Sequence, residues 1–297
     1  MQRLQFIIIY PFLWLFSKLP FFILHGISDI AFVLLYYVFN YRKEVVLNNL
    51  RMAFPDKQKS ELLAIRKKFF RHFTDIFIEM AKSFSISEKQ INKRYKFNNP
   101  EIFNEIEKTG KSVILMGSHY GNWEWTVNLA HITNLKCLGV YKKISNPYFN
   151  KVIKANRERF GGFFIPTSQT VKEMIKNKQN NISSIYGLLS DQSPLLHRTQ
   201  YWRNFLNVNV PIHTGAETLA KKFDFLILYM STTRVKRSYY EVDFEILAKN
   251  PRDFQDFEIT DEFLKRTEKQ IYSNPEYYFW THRRFKHRDT DPQKKTI

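Results

Sequence analysis

The chain has 297 residues, 44% of them apolar, which suffices for one large domain or two small ones and excludes wholesale disorder. A mean hydropathy of -0.39 excludes a polytopic membrane protein, and a single cysteine, Cys137, excludes an internal disulfide framework and a multi-thiolate zinc site. The 46 Lys and Arg against 28 Asp and Glu leave a net charge of +18, so a negative partner is expected: nucleic acid, anionic lipid, an acidic protein or a phosphorylated substrate.

Aromatic residues reach 16%, which suits work at a membrane interface. Apolar density is concentrated at the N-terminus, where residues 4–17, 19–28 and 30–41 carry no charge and only Lys18 and Asp29 interrupt them. No small-residue cleavage site follows, so a cleaved signal peptide is not expected. As a helix, window 4–24 would span about 30 Å, the thickness of a bilayer core. It holds fourteen Leu, Ile and Phe residues, whose insertion outweighs the cost of Lys18 near one end. Pro11 and Pro20 would kink or break that helix. One span or a shallow re-entrant hairpin is expected for 1–41, with a buried helix pair as the alternative. Arg42 and Lys43 follow at once and place the remainder on the cytoplasmic side by the positive-inside rule.

Leu62, Ile65, Phe69, Phe73, Ile76 and Met80 recur at spacings of three and four, which predicts an amphipathic helix over 60–82 with Arg66, Lys67 and Arg71 on a solvated face. Asn99-Pro100 opens a helix to about Lys108, and 112–116 reads as a buried strand. A Gly-containing loop at 117–122 and a helix from Trp123 come next. Strands are expected at 137–141, 162–165, 182–190, 225–231 and 239–247, with helices from Asn146-Pro147, near 168–177 and near 212–222. This alternation predicts an α/β fold, a central β-sheet with helices on its faces, as one domain over 42–288. Residues 289–297 form a polar tail.

The segment that can carry chemistry is Gly117-Ser118-His119-Tyr120-Gly121-Asn122-Trp123-Glu124, where a buried strand gives way to a helix. His119 and Glu124 are about 140° apart on an ideal helix, so only a turn at Gly121-Asn122 would bring the carboxylate to one imidazole nitrogen. The other nitrogen would then take a proton from a hydroxyl. Ser118 lacks the Gly-x-Ser-x-Gly elbow of a nucleophile. From spacing alone, a structural His–Glu pair and a catalytic one stay equally open.

His119 through Glu124 resembles the His-x-x-x-x-Asp/Glu motif of glycerolipid-type acyltransferases, and its surroundings resemble the lipid A biosynthesis (lauroyl/myristoyl) acyltransferase family. Asn48 to Pro55 is similar to that family's block after the membrane anchor, and Asn156 to Gly162 to its Arg-x-Arg segment. Asp191-Gln192 resembles the Asp-Gln after a later strand. Pro275-Glu276 and Trp280 to Lys286 resemble the C-terminal signature. The blocks run in family order over about residues 1–288.

The resemblance implies a glycerolipid-acyltransferase-like sheet that moves a fatty acyl chain from an acyl carrier protein thioester to a hydroxyl of a phosphorylated lipid A precursor at the inner membrane. It implies His119 as general base, Glu124 fixing its tautomer, and Asp191 as a second carboxylate on His119 or else a turn residue. Arg157 or Arg159 is the candidate for oxyanion stabilisation or phosphate binding, against a solvated helix end, with Asn122 and Gln192 beside the substrate. No cofactor or metal is required. Cationic neighbours also argue against a metal at His282 and His287. Residues 136–178 carry ten Lys and Arg against Glu158 and Glu173, a charge suited to carrier protein, phosphorylated lipid and anionic membrane lipids.

A same-fold enzyme acting on another lipid, such as a phosphatidylinositol mannoside or an aminolipid, is the nearest rival. Nucleic acid is not an expected partner, because no helix-turn-helix, RNP or zinc pattern is readable. A purely structural membrane protein would not need His119 and Glu124.

Overall fold

The computed structural model describes residues 1–291, so only 289–291 of the expected polar tail fall within it. Seven strands form one sheet in the order β1 (Tyr95–Phe97), β9 (Tyr239–Ala248), β8 (Leu226–Lys236), β2 (Val113–Gly117), β5 (Ser184–Leu189), β3 (Lys136–Tyr141) and β4 (Phe163–Pro166). Only β8 and β9 pair antiparallel, as a hairpin; every other neighbouring pair is parallel. All five residues of β2 are buried, as a parallel central strand covered on both faces requires. Ile114 and Met116 point into one core, whereas Val113 and Leu115 point into the other with Trp125 and Phe103. The first core is closed by α9 (Gly215–Phe223) and α10 (Glu258–Ser273), the second by α5 (Glu88–Arg94) and α6 (Ile102–Lys108).

The strand order fixes where a ligand can sit. From β2 the chain crosses over to β3, and from β5 it departs the other way, to β8 on the far side of β2. The carboxyl ends of β2 and β5 therefore flank the point where the connections diverge, the crevice that open α/β sheets leave for ligands. Between β5 and α9 a two-stranded hairpin, β6 (Trp202–Phe205) with β7 (Val208–Pro211), stands apart from the main sheet.

The N-terminal segment does not form one helix over 4–24. Helix α1 (Gln2–Lys18) ends at the extended pair Leu19-Pro20, and α2 (Phe21–Val33) runs on through a wider π turn, Leu34–Val38. Pro11 lies inside α1 without ending it, whereas Pro20 caps α2 where its missing N–H costs nothing. The 18-residue apolar stretch Phe21–Val38 is the one described helix long and apolar enough to cross a membrane. Both helices lie against α4 (Lys59–Lys82). Lys82 Nζ donates to the carbonyls of Ser17 at 2.8 Å and Leu19 at 2.9 Å, covering the end of α1. Ser28 Oγ, inside α2, donates to Asp75 at 2.7 Å, and Asp75 also receives Arg234 and Arg237 from the β8–β9 hairpin.

Helix α4 forms where its periodicity predicts, but its basic face is not simply solvated. Arg66 is buried over Tyr36, whereas Arg71, over Phe32, and Lys67, over Tyr37, stay exposed as expected. The helix expected from Trp123 is a 3-10 helix, Trp123–His131. β1 and the hairpin β6–β7 have no counterpart among the expected strands, and the other strands start within two residues of expectation.

Candidate active site

Residues His119 and Asp191 follow β2 and β5, so the divergence point of the sheet brings them together across 72 positions of sequence. His119 Nδ1 donates to Asp191 Oδ1 at 2.8 Å, and the His119 backbone N–H donates to the same oxygen at 3.1 Å. Asp191 is almost wholly buried, whereas the His119 side chain remains about 20% exposed. Burial pushes the Asp191 carboxyl up, but the charge of His119 and hydrogen bonds from its ring and from backbone N–H groups outweigh it. The carboxyl is held below its ordinary value. Trp123 packs edge-on against the imidazole and Phe279 lies beside both rings.

The tautomer-fixing contact expected of Glu124 is made instead by Asp191. Glu124 is taken up by Arg157, whose Nε donates to Oε2 at 3.0 Å and whose Nη2 donates to Oε1 at 2.8 Å. The reason lies in the turn. Gly121 has φ +58°, a conformation that favours glycine, and its N–H donates to Tyr277 O. From there the 3-10 helix carries Glu124 towards α7 (Pro147–Glu158), which presents Arg157.

Two further candidates hold structure rather than line the site. Asn122 is fully buried, its Oδ1 accepting from Trp125 N as the helix N-cap and its Nδ2 donating to Glu79 Oε2 at 2.7 Å. Arg159 reaches away from the crevice and donates to the carbonyls of Ser83, at 2.7 Å, and Ile86, tying the end of α7 to the turn after α4. Gln192, half-buried, adjoins Asp191 but does not line the cavity described below.

Beside His119 the sheet is hollowed into a cavity of about 660 Å³, lined by His119, Glu124 and Arg157 and elsewhere mostly by apolar side chains, with Thr126, Lys142, Ser190 and His213 among them. Its floor explains its existence. Gly117 on β2, Gly187 on β5 and Gly139 on β3 all fall on one face of the sheet, with Gly187 paired directly with Gly139 and Leu115 with Gly187. Gly139 lets the Phe164 ring lie against its strand and Gly117 leaves room for Leu189 and Met230, whereas the space over Gly187 stays open, enclosed by residues such as Val127 and Leu129. A Cβ at Gly187 would meet nothing closer than Leu138 O at 3.9 Å, so the strand conformation does not require glycine there. A mostly apolar cavity with a few polar groups is what a hydrocarbon ligand needs.

The sequence blocks converge on this site from behind. Asn49 Nδ2 donates to the carbonyls of Trp280 and His282, both at 2.8 Å, joining the early block to the C-terminal one. Ser193 N donates to His282 Nε2 at 3.3 Å, and Ser193 Oγ donates to Arg284 O at 2.9 Å. Burial, with Arg284 and His119 nearby, pushes the His282 imidazole down to about 4 against the raising effect of Asp191, so it stays neutral. Tyr278, buried, is raised well above its ordinary value by burial and then by the Asp191 charge. Glu79, Tyr278 and His282 were not singled out as site supports by sequence reasoning. His282 carries a signal, being inside the C-terminal block. Among the described residues no cluster of three or more His, Cys, Asp or Glu is placed to hold a metal ion.

A histidine dyad at a sheet divergence point, opening on an apolar cavity, is shared by more than one chemistry, and sequence relationship decides the family. The family model described as bacterial lipid A biosynthesis acyltransferase matches residues 2–287, nearly the whole chain. The chain belongs to that family. Among curated proteins it is similar to the lipid A biosynthesis myristoyltransferase of Escherichia coli (strain K12), 24% identical over 148 residues, which is 50% of this chain and 46% of that protein. The aligned stretch thus spans about half the length of the relative it matches.

Proposed function

We propose that this family member transfers a fatty acyl chain from an acyl carrier protein thioester to a hydroxyl of a phosphorylated lipid A precursor, on the cytoplasmic side of the inner membrane. The observation that carries the reading is the His119–Asp191 dyad at the mouth of a glycine-floored apolar cavity. Asp191, ionised, holds Nδ1–H towards itself and leaves Nε2 as the acceptor. Nε2 takes the proton as the acceptor oxygen attacks the thioester carbonyl carbon. The tetrahedral intermediate then collapses, the C–S bond breaks, and the departing thiolate takes the proton back. Nothing in these steps uses a cofactor.

Arg157 is oriented for this work by Glu124, which fixes two of its N–H groups and leaves others for a phosphate or the oxyanion. The donor chain lies in the cavity, since each methylene removed from water is worth about 0.8 kcal/mol. Support for a membrane setting comes from the exposed apolar side chains of α1 and α2, among them Ile8, Phe12, Phe22 and Ile30. The lysines around α7, such as Lys151 and Lys154, suit an acidic carrier protein and anionic lipid headgroups.

The test is mass spectrometry of lipid A from cells with and without the protein. One acyl chain should be missing from lipid A without it. Unchanged lipid A, with the change in another acylated lipid, would replace this acceptor with that one.

A further inference from the structure

Helix α4 carries a carboxyl group that the transfer steps leave unused. Glu79 is almost wholly buried, and its Oε2 accepts from Asn122 Nδ2 at 2.7 Å and from Tyr240 Oη at 2.9 Å. Its other oxygen, Oε1, is buried without a hydrogen bond of good geometry. Asn122 turns its own oxygen to Trp125 N, at 3.2 Å, and so begins the 3-10 helix that carries Trp123 and Glu124. One turn further along α4, Ser83 Oγ accepts from Trp125 Nε1 at 3.0 Å. The turn before that helix is tightly packed, since a Cβ on Gly121 would meet Thr232 Cγ2 at 2.9 Å. The charged and titratable groups facing Glu79 are Asp75 on its own helix, Arg234 of β8, Tyr240 of β9 and Arg94 of α5, with His72 accepting from Arg234. Arg234 pairs with Asp75 at 2.8 Å, and among the described residues no ion pair forms on Glu79. Burial, and then the Asp75 charge, push its carboxyl up to about 7 against Ser238, Arg234 and Tyr240.

We propose that Glu79 is a positioning residue for the reaction, a role that rests on the acyl-transfer reading above: through Asn122 it holds the turn that packs Trp123 on His119 and delivers Glu124 to Arg157, and its grip is tighter when it is ionised. An Asn amide has a donor end and an acceptor end, and only an acceptor at Glu79 leaves Asn122 Oδ1 for Trp125 N. Oε2 stays an acceptor in both charge states, because it already receives two donors and a proton would sit on Oε1. The turn therefore persists when Glu79 is neutral. A hydrogen bond to a carboxylate is roughly twice as strong as one to a neutral acceptor, so ionisation firms it. Trp123 and Glu124 are the first two residues of the held helix. What Glu79 fixes passes to His119 as a ring contact, 5.2 Å between centroids, and to Arg157 as a hydrogen-bonded ion pair at 2.8 Å. A displacement of about 1 Å transmitted to reacting groups can cost about 10²-fold in rate.

The experiment measures kcat and both KM values from about pH 6 to about pH 8, around the value of about 7 at which Glu79 titrates. The reaction is transfer from an acyl carrier protein thioester to a lipid A precursor in mixed micelles, by full-length wild type, Glu79→Gln, Glu79→Leu and Asn122→Ala. Glu79→Gln is nearly isosteric and offers its amide oxygen to Asn122 and Tyr240, so it should fold and match wild type at the acid end. At the alkaline end wild type should exceed it about fivefold in kcat with both KM values unchanged. The titration of His119 is common to the two proteins and cancels in that ratio. Glu79→Leu and Asn122→Ala should each lose about 10²-fold in kcat throughout. Hydrogen exchange read by mass spectrometry should rise in the peptide 117–131 of both, while other peptides keep their protection. Should those two variants fail to fold, the ratio for Glu79→Gln still decides. A ratio that stays constant with pH, or an effect confined to KM, would overturn the role of Glu79 while leaving acyl transfer standing. A wild type that transfers no acyl chain to the precursor would overturn the reading beneath it and this role together.

Discussion

Asp191 Oδ1 accepts two hydrogen bonds from one residue, His119, through the backbone N–H at 3.1 Å and through Nδ1 at 2.8 Å. One oxygen thereby fixes both where the loop after β2 sits and which way the imidazole faces. Asp191→Asn preserves the shape but presents an amide in place of an acceptor-only carboxylate, and its N–H side can select the wrong tautomer. The expected result is a kcat lowered by about 10²–10⁴-fold with little change in either KM. A loss confined to KM would show that Asp191 serves binding instead.

Chain-length preference should depend on the glycine floor. Gly187→Leu introduces a side chain over open space without a backbone clash, because the added Cβ meets only Leu138 O at 3.9 Å. The variant should prefer thioesters shorter by about two to four carbons, since each methylene that no longer fits forfeits about 0.8 kcal/mol. Competition between thioesters of different length gives the answer directly. An unchanged preference would place the donor chain elsewhere.

Arg159 separates stability from chemistry. Its guanidinium bonds the carbonyls of Ser83 and Ile86 and takes no part in the cavity. Arg159→Ala should therefore lower Tm by about 2–4 °C, the size expected for about 1 kcal/mol in a domain of this size. Transfer at a temperature where the variant is folded should stay near wild type. A folded variant with its kcat reduced a hundredfold would restore Arg159 to the site.

Acid should destabilise the fold first through histidines lowered by burial, His282 among them. His282 is lowered from 6.5 to about 4, so between those values the unfolded chain binds the proton that the folded one refuses. Stability therefore falls as pH drops through that window, by on the order of 2 kcal/mol after allowance for partial solvent screening. Asp191 is held below its ordinary 3.8, so its contribution is present above that value and is lost only as pH falls further. Denaturant titrations of wild type and His282→Gln from pH 7 to pH 4 check this, and the fall should be smaller in the variant, where His72 and His213, also lowered by burial, keep part of it. An identical pH profile in both would contradict the assignment.

Much of the fold was legible because period and punctuation agreed with the final packing. The spacing over 60–82 gave α4 (Lys59–Lys82), and Asn146-Pro147 gave the start of α7 with Asn146 as its N-cap. The hairpin β6–β7 and helix α10 went unread, the hairpin turning at Leu206 and Asn207 in positive φ without the usual glycine. The site was half legible. His119 stands out because it follows a buried strand; its partner Asp191, 72 residues away, is offered by the family resemblance, because spacing alone cannot say that the ends of β2 and β5 meet. The family motif points to Glu124, which the turn at Gly121 sends to Arg157 instead. Gly139 and Gly187 inside strands were the available sign of a cavity, because a strand glycine often marks where something else must fit.

The most direct measurement follows acyl transfer from an acyl carrier protein thioester to a lipid A precursor by mass spectrometry, for wild type, His119→Ala, Glu124→Gln and Ser118→Ala, with folding checked by circular dichroism. Wild type should add one acyl chain, and folded His119→Ala should lose at least about 10²–10⁴-fold of that rate. Glu124→Gln should lose less, because Arg157 keeps an acceptor oxygen, and Ser118→Ala, a buried position off the cavity, should keep most activity. A folded His119→Ala protein working at near wild-type rate, or an acyl adduct trapped on Ser118, would contradict general-base transfer at this dyad.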